Sequence, residues 1–378
     1  TIFLPDGSYN PTAVGFPILE ALQTNLSTNK NLRLNGNIFG EYKFNNWLKF
    51  RSSFYNTFAQ LKSNTIIKPK SYLDVILGYN GQVTVGNNDL YYFTTNQRLD
   101  FEKSFGSHKV SATAFYEFNA ENTNTLTSTG RNYRTAGLDV LSNMVTPITA
   151  SGARTQTRRT SVAALVDYGY DAKYLVSGSI RRDGSSRFGL DNQFGTFWSA
   201  SAAWNIAKES FLDGSKLKAL KLRASYAEVG MAGDYTQSYY YTPSYGGGFY
   251  MGNPIVYPIN GAMAYIPYYK VYDPNLKPQN TKSYELGADL TFLNGLVTLN
   301  YTYSRQNVKD QIFEVPLAGS TGASSMIMNG GKIHTNTHEL TLGVSPVDTK
   351  NFKLDFAFNF SKIDNYVDEL APGVESIM

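Results

Sequence analysis

The chain has 378 residues, of which 42% are hydrophobic and 17% charged, and a formal net charge of only +4. Cysteine is absent, which excludes disulfides and thiol chemistry, and no run of about eighteen apolar residues exists, which excludes a transmembrane helix. The weak positive charge carries no basic run, so no nucleic-acid partner is expected.

The chain opens with a loop-like stretch through Asp6, Gly7, Asn10 and Pro11 that lacks a signal-peptide pattern. From residue 31 the text alternates. Leu32, Leu34, Ile38, Tyr42 and Phe44 share one parity, while Asn31, Arg33, Asn35, Asn37, Glu41 and Lys43 share the other. Period-two alternation predicts a strand with one apolar and one polar face. Asn45 and Asn46 are expected to turn the chain with positive φ angles, and a partner strand follows over 47–61 with Leu48, Phe50, Phe54 and Phe58 on one face.

Five further hairpins are predicted in chain order: 89–103 with 108–121, 156–168 with 173–182, 194–206 with 219–229, 281–292 with 296–307, and 332–345 with 352–363. The connections inside the hairpins are short, apart from 207–218, where one helical turn is expected. Those between hairpins are long, about 62–88, 122–155, 183–194, 230–280 and 308–331, and are read as extracellular loops. Alternation of short and long connections, which only 207–218 interrupts, is what an up-and-down transmembrane barrel has, and a soluble sandwich has no reason to keep it.

Strand length and aromatic placement point the same way. Crossing a bilayer takes roughly 9–11 tilted residues, whereas soluble strands typically have about 5–6. Tyr42, Phe44, Trp47, Phe101, Phe105, Tyr168, Tyr170, Tyr174, Phe292 and Phe352 cluster beside the short turns, where amphipathic rings form a girdle at headgroup depth. The expected fold class is therefore all-β: a transmembrane antiparallel up-and-down β-barrel, with about 12 strands in residues 1–378. Lipid is expected on the Leu32 and Tyr42 side, water on the Arg33 and Glu41 side, and the strands must close because lipid tolerates no open sheet edge. Thr1 and Met378 both lie in loop-like stretches, so the chain is expected to be part of a longer barrel domain.

The second half resembles the SusC/RagA family of TonB-linked outer-membrane transporters. The residues that carry this are Asp183, Gly184, Ser185, Ser186, Arg187, Phe188 and Gly189, then Phe197, Trp198, Ser199 and Ala200, then Ala203 and Trp204 with Glu209, Ser210, Phe211 and Leu212. Leu220–Gly230, Asn275–Pro278 leading to Ser283–Gly287, and Asn329–Gly331 with Asn336–Glu339 are also similar. Thr337 departs from the family's usual glycine, and Tyr284 stands where many relatives have tryptophan. The resemblance implies a 22-stranded barrel with a lumenal plug outside this chain, pulled by TonB. It also implies a SusD-like surface lipoprotein as a lid and import of an oligosaccharide or peptide. A siderophore- or cobalamin-type receptor without a lid is the first alternative, and a soluble β-rich adhesin the second.

Candidate sites follow from these faces. His334 and His338 have a metal-binding spacing only on a helix; on a strand they stand about 13 Å apart, so no metal is expected. Glu228 with Asp234 and Glu285 with Asp289 read as acids on a wet wall rather than as hydrolytic pairs, and no phosphate loop, nucleophile elbow or dinucleotide fingerprint exists. Neither enzymatic activity nor a cofactor is expected. Arg158 and Arg182 have lipid-facing parity and are candidate lipopolysaccharide contacts, or else solvated rim charges. Arg159 and Arg181 have lumenal parity and are candidates to pair with Asp183 or with an acid of the plug. Tyr239, Tyr240, Tyr241, Tyr245, Phe249, Tyr250, Tyr257, Tyr265, Tyr268 and Tyr269 fall in the longest connection, as candidate contacts for cargo or lid, or as that loop's own core.

Overall fold

Each long alternating run forms a strand. The computed structural model describes residues 18–146, 148–231 and 270–370, with turn residue Pro5 and the strand pieces 241–243, 249–250, 253–254 and 265–267. The main strands are β1 (Leu26–Lys43), β2 (Leu48–Ile67), β3 (Gln82–Phe105), β4 (His108–Arg131), β5 (Thr149–Tyr170), β6 (Tyr174–Ser185) and β7 (Phe194–Asn205). They continue as β8 (Leu217–Met231), β9 (Lys270–Tyr272), β10 (Gln279–Phe292), β11 (Val297–Pro316), β12 (Ser325–Asp348) and β13 (Lys353–Glu369).

These thirteen form one sheet. Neighbours in sequence are neighbours in the sheet from β1 to β8; β10, β11, β12 and β13 then continue the meander, and β9 lies beside β12. The twelve long strands are those the alternation predicts. β9 pairs in parallel with Ser325–Ile327 of β12 and is three residues long, too short to carry a readable period. Two short ladders, 241–243 with 265–267 and 249–250 with 253–254, stand apart from the main sheet.

The strands run further than their apolar alternation. β3, β4 and β12 each have 24 residues, and the ladders reach into 62–88, 122–155 and 308–331, which the sequence reads as connections. A ladder needs only backbone N–H and C=O groups, so it persists where Thr, Asn and Ser replace apolar residues.

Contacts divide the chain into two compact units. The first comprises Thr1–Gly40, Ser52–Asn96 and Phe118–Arg158. Its core joins Ile66 and Val83 to Tyr133, Met144 and Leu141. The helix Tyr72–Leu77 begins where Ser71 Oγ accepts the Asp74 N–H, and it ends at Gly78 in the left-handed conformation. The buried Asp74 carboxylate accepts the N–H groups of Lys70 (2.8 Å) and Gly81 (2.5 Å), tying the helix to the start of β3. Beyond β4, Asp139 accepts from Tyr133 Oη (2.9 Å) and Lys68 Nζ (2.5 Å). Burial alone would raise the Asp139 carboxyl, but these two hydrogen bonds and the Lys68 charge hold it below its ordinary value. Burial, then the hydrogen bond to Asp139 and its charge, pushes the Tyr133 phenol up.

The second unit comprises Glu41–Arg51, Gln97–Glu117 and Arg159–Met378. Its short connections use several devices. Neither Asn45 nor Asn46 takes the expected positive φ; instead Asn45 Oδ1 accepts the N–H groups of Trp47 (3.0 Å) and Leu48 (2.8 Å), so the side chain holds the turn. Asp171 and Ala172 do turn with positive φ, at 52° and 50°, as does Asn294 at 57°. The connection after β7 contains two helical turns, Ile206–Lys208 and Ser210–Leu212, where one is expected. A second core buries Phe188, Leu276 and Ile327, with Tyr272 and Ile312 packed against them. The Asp183–Gly189 segment thus places Phe188 beneath β9.

Candidate functional site

The register within the second unit collects side chains of one parity on one face. Ala202 lies opposite Ala224, Ala224 opposite Leu286, and Leu290 opposite Leu299. Ile180, Trp198, Leu222 and Leu286 on this face are 55%, 47%, 43% and 59% exposed. At roughly 25 cal/mol per Å² of apolar surface, so broad an uncovered patch is stable only against an apolar medium or partner.

Aromatic bands bound this face at both ends. At the short-turn end His108 Nδ1 meets Tyr168 Oη at 2.8 Å, and ring contacts run from His108 to Tyr170 (4.8 Å), to Tyr174 (6.3 Å) and to Trp204 (6.3 Å). Glu209, in the connection after β7, accepts from Tyr174 Oη (2.6 Å) and Trp204 Nε1 (3.0 Å). Those hydrogen bonds hold the Glu209 carboxyl below its ordinary range and draw the polar tips of both rings towards the turns. At the other end Trp198 contacts Tyr226 (4.5 Å), Tyr226 contacts Tyr284 (5.0 Å), and Tyr303 contacts His338 (5.0 Å). Tyr284 and Phe292 on β10 are separated by about 27 Å along the strand. A tilt of roughly 40° reduces this to about 20 Å, close to the ~25 Å apolar band of membrane barrels.

The opposite face is polar and charged. Arg223 pairs through Nη1 with Glu285, through Nε with Asp289 (3.6 Å), and donates from Nη2 to Thr302 (2.5 Å). Gly287 lies directly opposite Arg223, and any Cβ there would collide with the guanidinium. Nearer the short turns, Lys49, Arg98, Asp100, Glu102 and Asp167 line a polar hollow of about 690 Å³. Asp100 accepts from Arg98 Nε and Thr113 Oγ1, both at 2.7 Å, and Lys109 pairs with Glu102 at 2.9 Å.

The residues singled out from sequence distribute as follows. Arg181 and Asp183 come together, with Nε 2.6 Å from the carboxylate, and Arg181 Nη2 also donates to Ser161 Oγ (3.0 Å). Arg159 lies opposite Ser185 and is exposed. The Arg182 guanidinium stands over the Phe194 ring at 5.3 Å. Arg158 Nη1 donates to Asn122 Oδ1 (3.2 Å) and to the Thr157 carbonyl (2.9 Å), so its side chain lies along the sheet. His334 meets Asp368 (2.8 Å) and His338 meets Tyr301 Oη (2.9 Å), separate partners rather than a shared site. Tyr239, Tyr240, Tyr245, Tyr257, Tyr268 and Tyr269 lie outside the described residues, as does Asp234; Tyr241, Phe249, Tyr250 and Tyr265 are described as strand backbone alone.

Sequence reading left Arg223 unassigned and treated Glu285 and Asp289 as independent acids. Only the β8–β10 register brings them together. Counting back from the Leu293–Gly295 turn, with Gly287 as the gap that admits a large side chain, is the signal that could have found the network.

A single meandering sheet with one aromatic-bounded apolar face and one charged face defines the wall of a β-barrel. The chain matches the TonB dependent receptor-like β-barrel family over residues 3–375 and belongs to that family. It is 28% identical over 98% of its length to TonB-dependent receptor P3 of Formosa agariphila and 27% identical over 98% to TonB-dependent receptor SusC of Bacteroides thetaiotaomicron. It spans 37% of each of those relatives. Among solved structures, the RagAB peptide importer in its closed-closed state superposes on all of this chain with a TM-score of 0.85 at 16% identity, over 42% of its own chain. The ferric-catecholate import receptor Fiu of E. coli superposes on 90% of this chain with a TM-score of 0.52 at 11% identity, over 48% of its own chain.

Proposed function

We propose that the apolar face meets the lipid of a bacterial outer membrane and that the charged face lines the lumen of a TonB-dependent importer of the SusC/RagA type. The observation that carries this is the exposed apolar band closed off by aromatic rows at both ends, backed by the Arg223, Arg98 and Arg181 ion pairs on the other face. Among the described residues β1 and β13 each keep one unpaired edge. In lipid those edges need partners, and the remaining strands of a barrel of about 22 strands supply them.

The whole protein, in this reading, imports a large nutrient, an oligosaccharide or a peptide. TonB acts through a plug outside this chain, and a SusD-like surface lipoprotein closes the extracellular mouth. The likeness to SusC, 27% identical over 98% of this chain, supports the SusC/RagA type, and with it a lid, over a siderophore receptor. The strand ends remote from the short turns face outside, where Arg158 and Arg182 stand at the level of lipopolysaccharide phosphates and the tyrosine-rich 239–269 stretch meets lid or cargo. Membrane transport, not covalent chemistry, is the role assigned to the polar wall.

Uptake tests this reading. Cells carrying the intact gene should accumulate a labelled oligosaccharide or peptide that gene-deleted cells do not, and a protonophore should abolish the accumulation. Uptake that is unchanged by both treatments contradicts it.

A further inference from the structure

The outward parity of β10 to β13, above the aromatic row, carries an unusual set of cations. Lys309 of β11 lies directly opposite Lys332 of β12, and Arg305 lies opposite Tyr284 of the aromatic row. Lys282, opposite Asn307, stands diagonally between Arg305 and Lys309. Directly opposed residues of antiparallel strands have Cβ atoms roughly 5 Å apart, and like charges there repel. The sequence thus places two ammonium groups where the sheet alone disfavours them.

The neighbouring acids relieve this at Lys332 alone and leave Lys309 uncompensated. Glu228 pairs with Lys282 (2.9 Å), Asp310 with Lys277 (3.0 Å), Asp368 with His334 (2.8 Å), and Glu369 with Lys332. Arg305 donates from Nε to Asn307 (3.2 Å), and neither it nor Lys309 has a carboxylate partner among the described residues. Both are exposed. From the Tyr284 row to the Lys309 row is about 13 Å along the strand, or about 10 Å above the girdle after a tilt of roughly 40°. That range of depth begins at the headgroups and reaches just beyond them.

Resting on the outer-membrane reading above, we propose that Lys309 and Arg305, beside the Lys332–Glu369 pair, form a site for the phosphate of an outer-leaflet glycolipid, whose acyl chains lie along the apolar face below. An anion seated at Lys309 gives that ammonium the counter-charge no carboxylate supplies, and Arg305 adds a planar donor at the girdle. Beneath the cations, a shallow apolar hollow of about 430 Å³ is lined by Ala202, Trp204, Leu222, Ala224, Leu286 and Tyr301, complementary to a hydrocarbon chain. This site lies on strands distant in sequence from Arg158 and Arg182.

The test uses the full-length protein purified in detergent, with lipid A, dephosphorylated lipid A and inorganic phosphate as probes. The wild type should bind lipid A at least about tenfold more tightly than the dephosphorylated form. The Arg305→Gln/Lys309→Gln double variant should lose that preference while keeping the heat-modifiable mobility of a folded barrel. Equal preference in wild type and variant overturns the proposal. So does inorganic phosphate binding as tightly as lipid A, because the site would then recognise free anion. Sedimentation with outer membranes checks the underlying reading separately: a membrane-embedded protein whose variant retains lipid A unchanged refutes the lipid site alone.

Discussion

Leu222→Arg is expected to destabilise the full-length protein in a lipid bilayer by about 2–4 kcal/mol, the cost of a guanidinium near the midplane on a lipid-facing wall. Leu222 lies opposite Ala288 and Trp204, on the apolar face and between the two aromatic rows. Asn300→Arg is the matched control at similar depth. Asn300 is exposed on the other face opposite Asp289, so the new charge meets water and an acid, and a change of less than about 1 kcal/mol is expected. Urea unfolding in vesicles separates the two. Equal costs at both positions would mean that the faces have been assigned wrongly.

Ile327→Ala is expected to cost about 2–5 kcal/mol, the usual range for emptying a fully buried aliphatic site. Ile327 is 0% exposed and packs with Phe188 and Leu276, and its carbonyl accepts the Asp273 N–H at 2.9 Å. The loss should be local. Protease cleavage within 270–278 and 183–193 should accelerate while the long strands remain protected, because β10 to β12 are held by their own ladders. Unchanged cleavage at both segments would show that this cluster does not anchor β9.

These two positions also mark what the sequence could and could not disclose. Leu222 was readable, because period-two alternation fixes its face once a strand is recognised. Ile327 was not: it lies in 308–331, where β11 and β12 continue without apolar alternation and a buried residue has no periodic neighbours to announce it. The same loss of pattern shortened the predicted β2 to β5 at their ends remote from the short turns. Arg181 with Asp183 was legible because residues two apart on a strand share a face. Arg223 with Glu285 and Asp289 was not, because cross-strand pairing depends on a register that turn chemistry sets. Asn45 illustrates how coarse that chemistry is when read from residue type. The same asparagine can turn a hairpin through its backbone or through its side chain, and here it uses the side chain. The Asp183–Gly189 resemblance identified a family without giving Phe188 a task; only the packing around Leu276 does so.

The assignment of lipid to one face of β10 and water to the other is tested most directly by a nitroxide scan. This chain carries no native cysteine; with any cysteine elsewhere in the full-length protein replaced, single cysteines at successive positions from 283 to 292 can be labelled and the protein reconstituted in bilayers. Collision with oxygen should peak at Tyr284, Leu286, Ala288, Leu290 and Phe292, and collision with a water-soluble nickel chelate should peak at the residues between them. Accessibility without a period of two, or with the two reagents exchanged, would contradict the barrel wall described above.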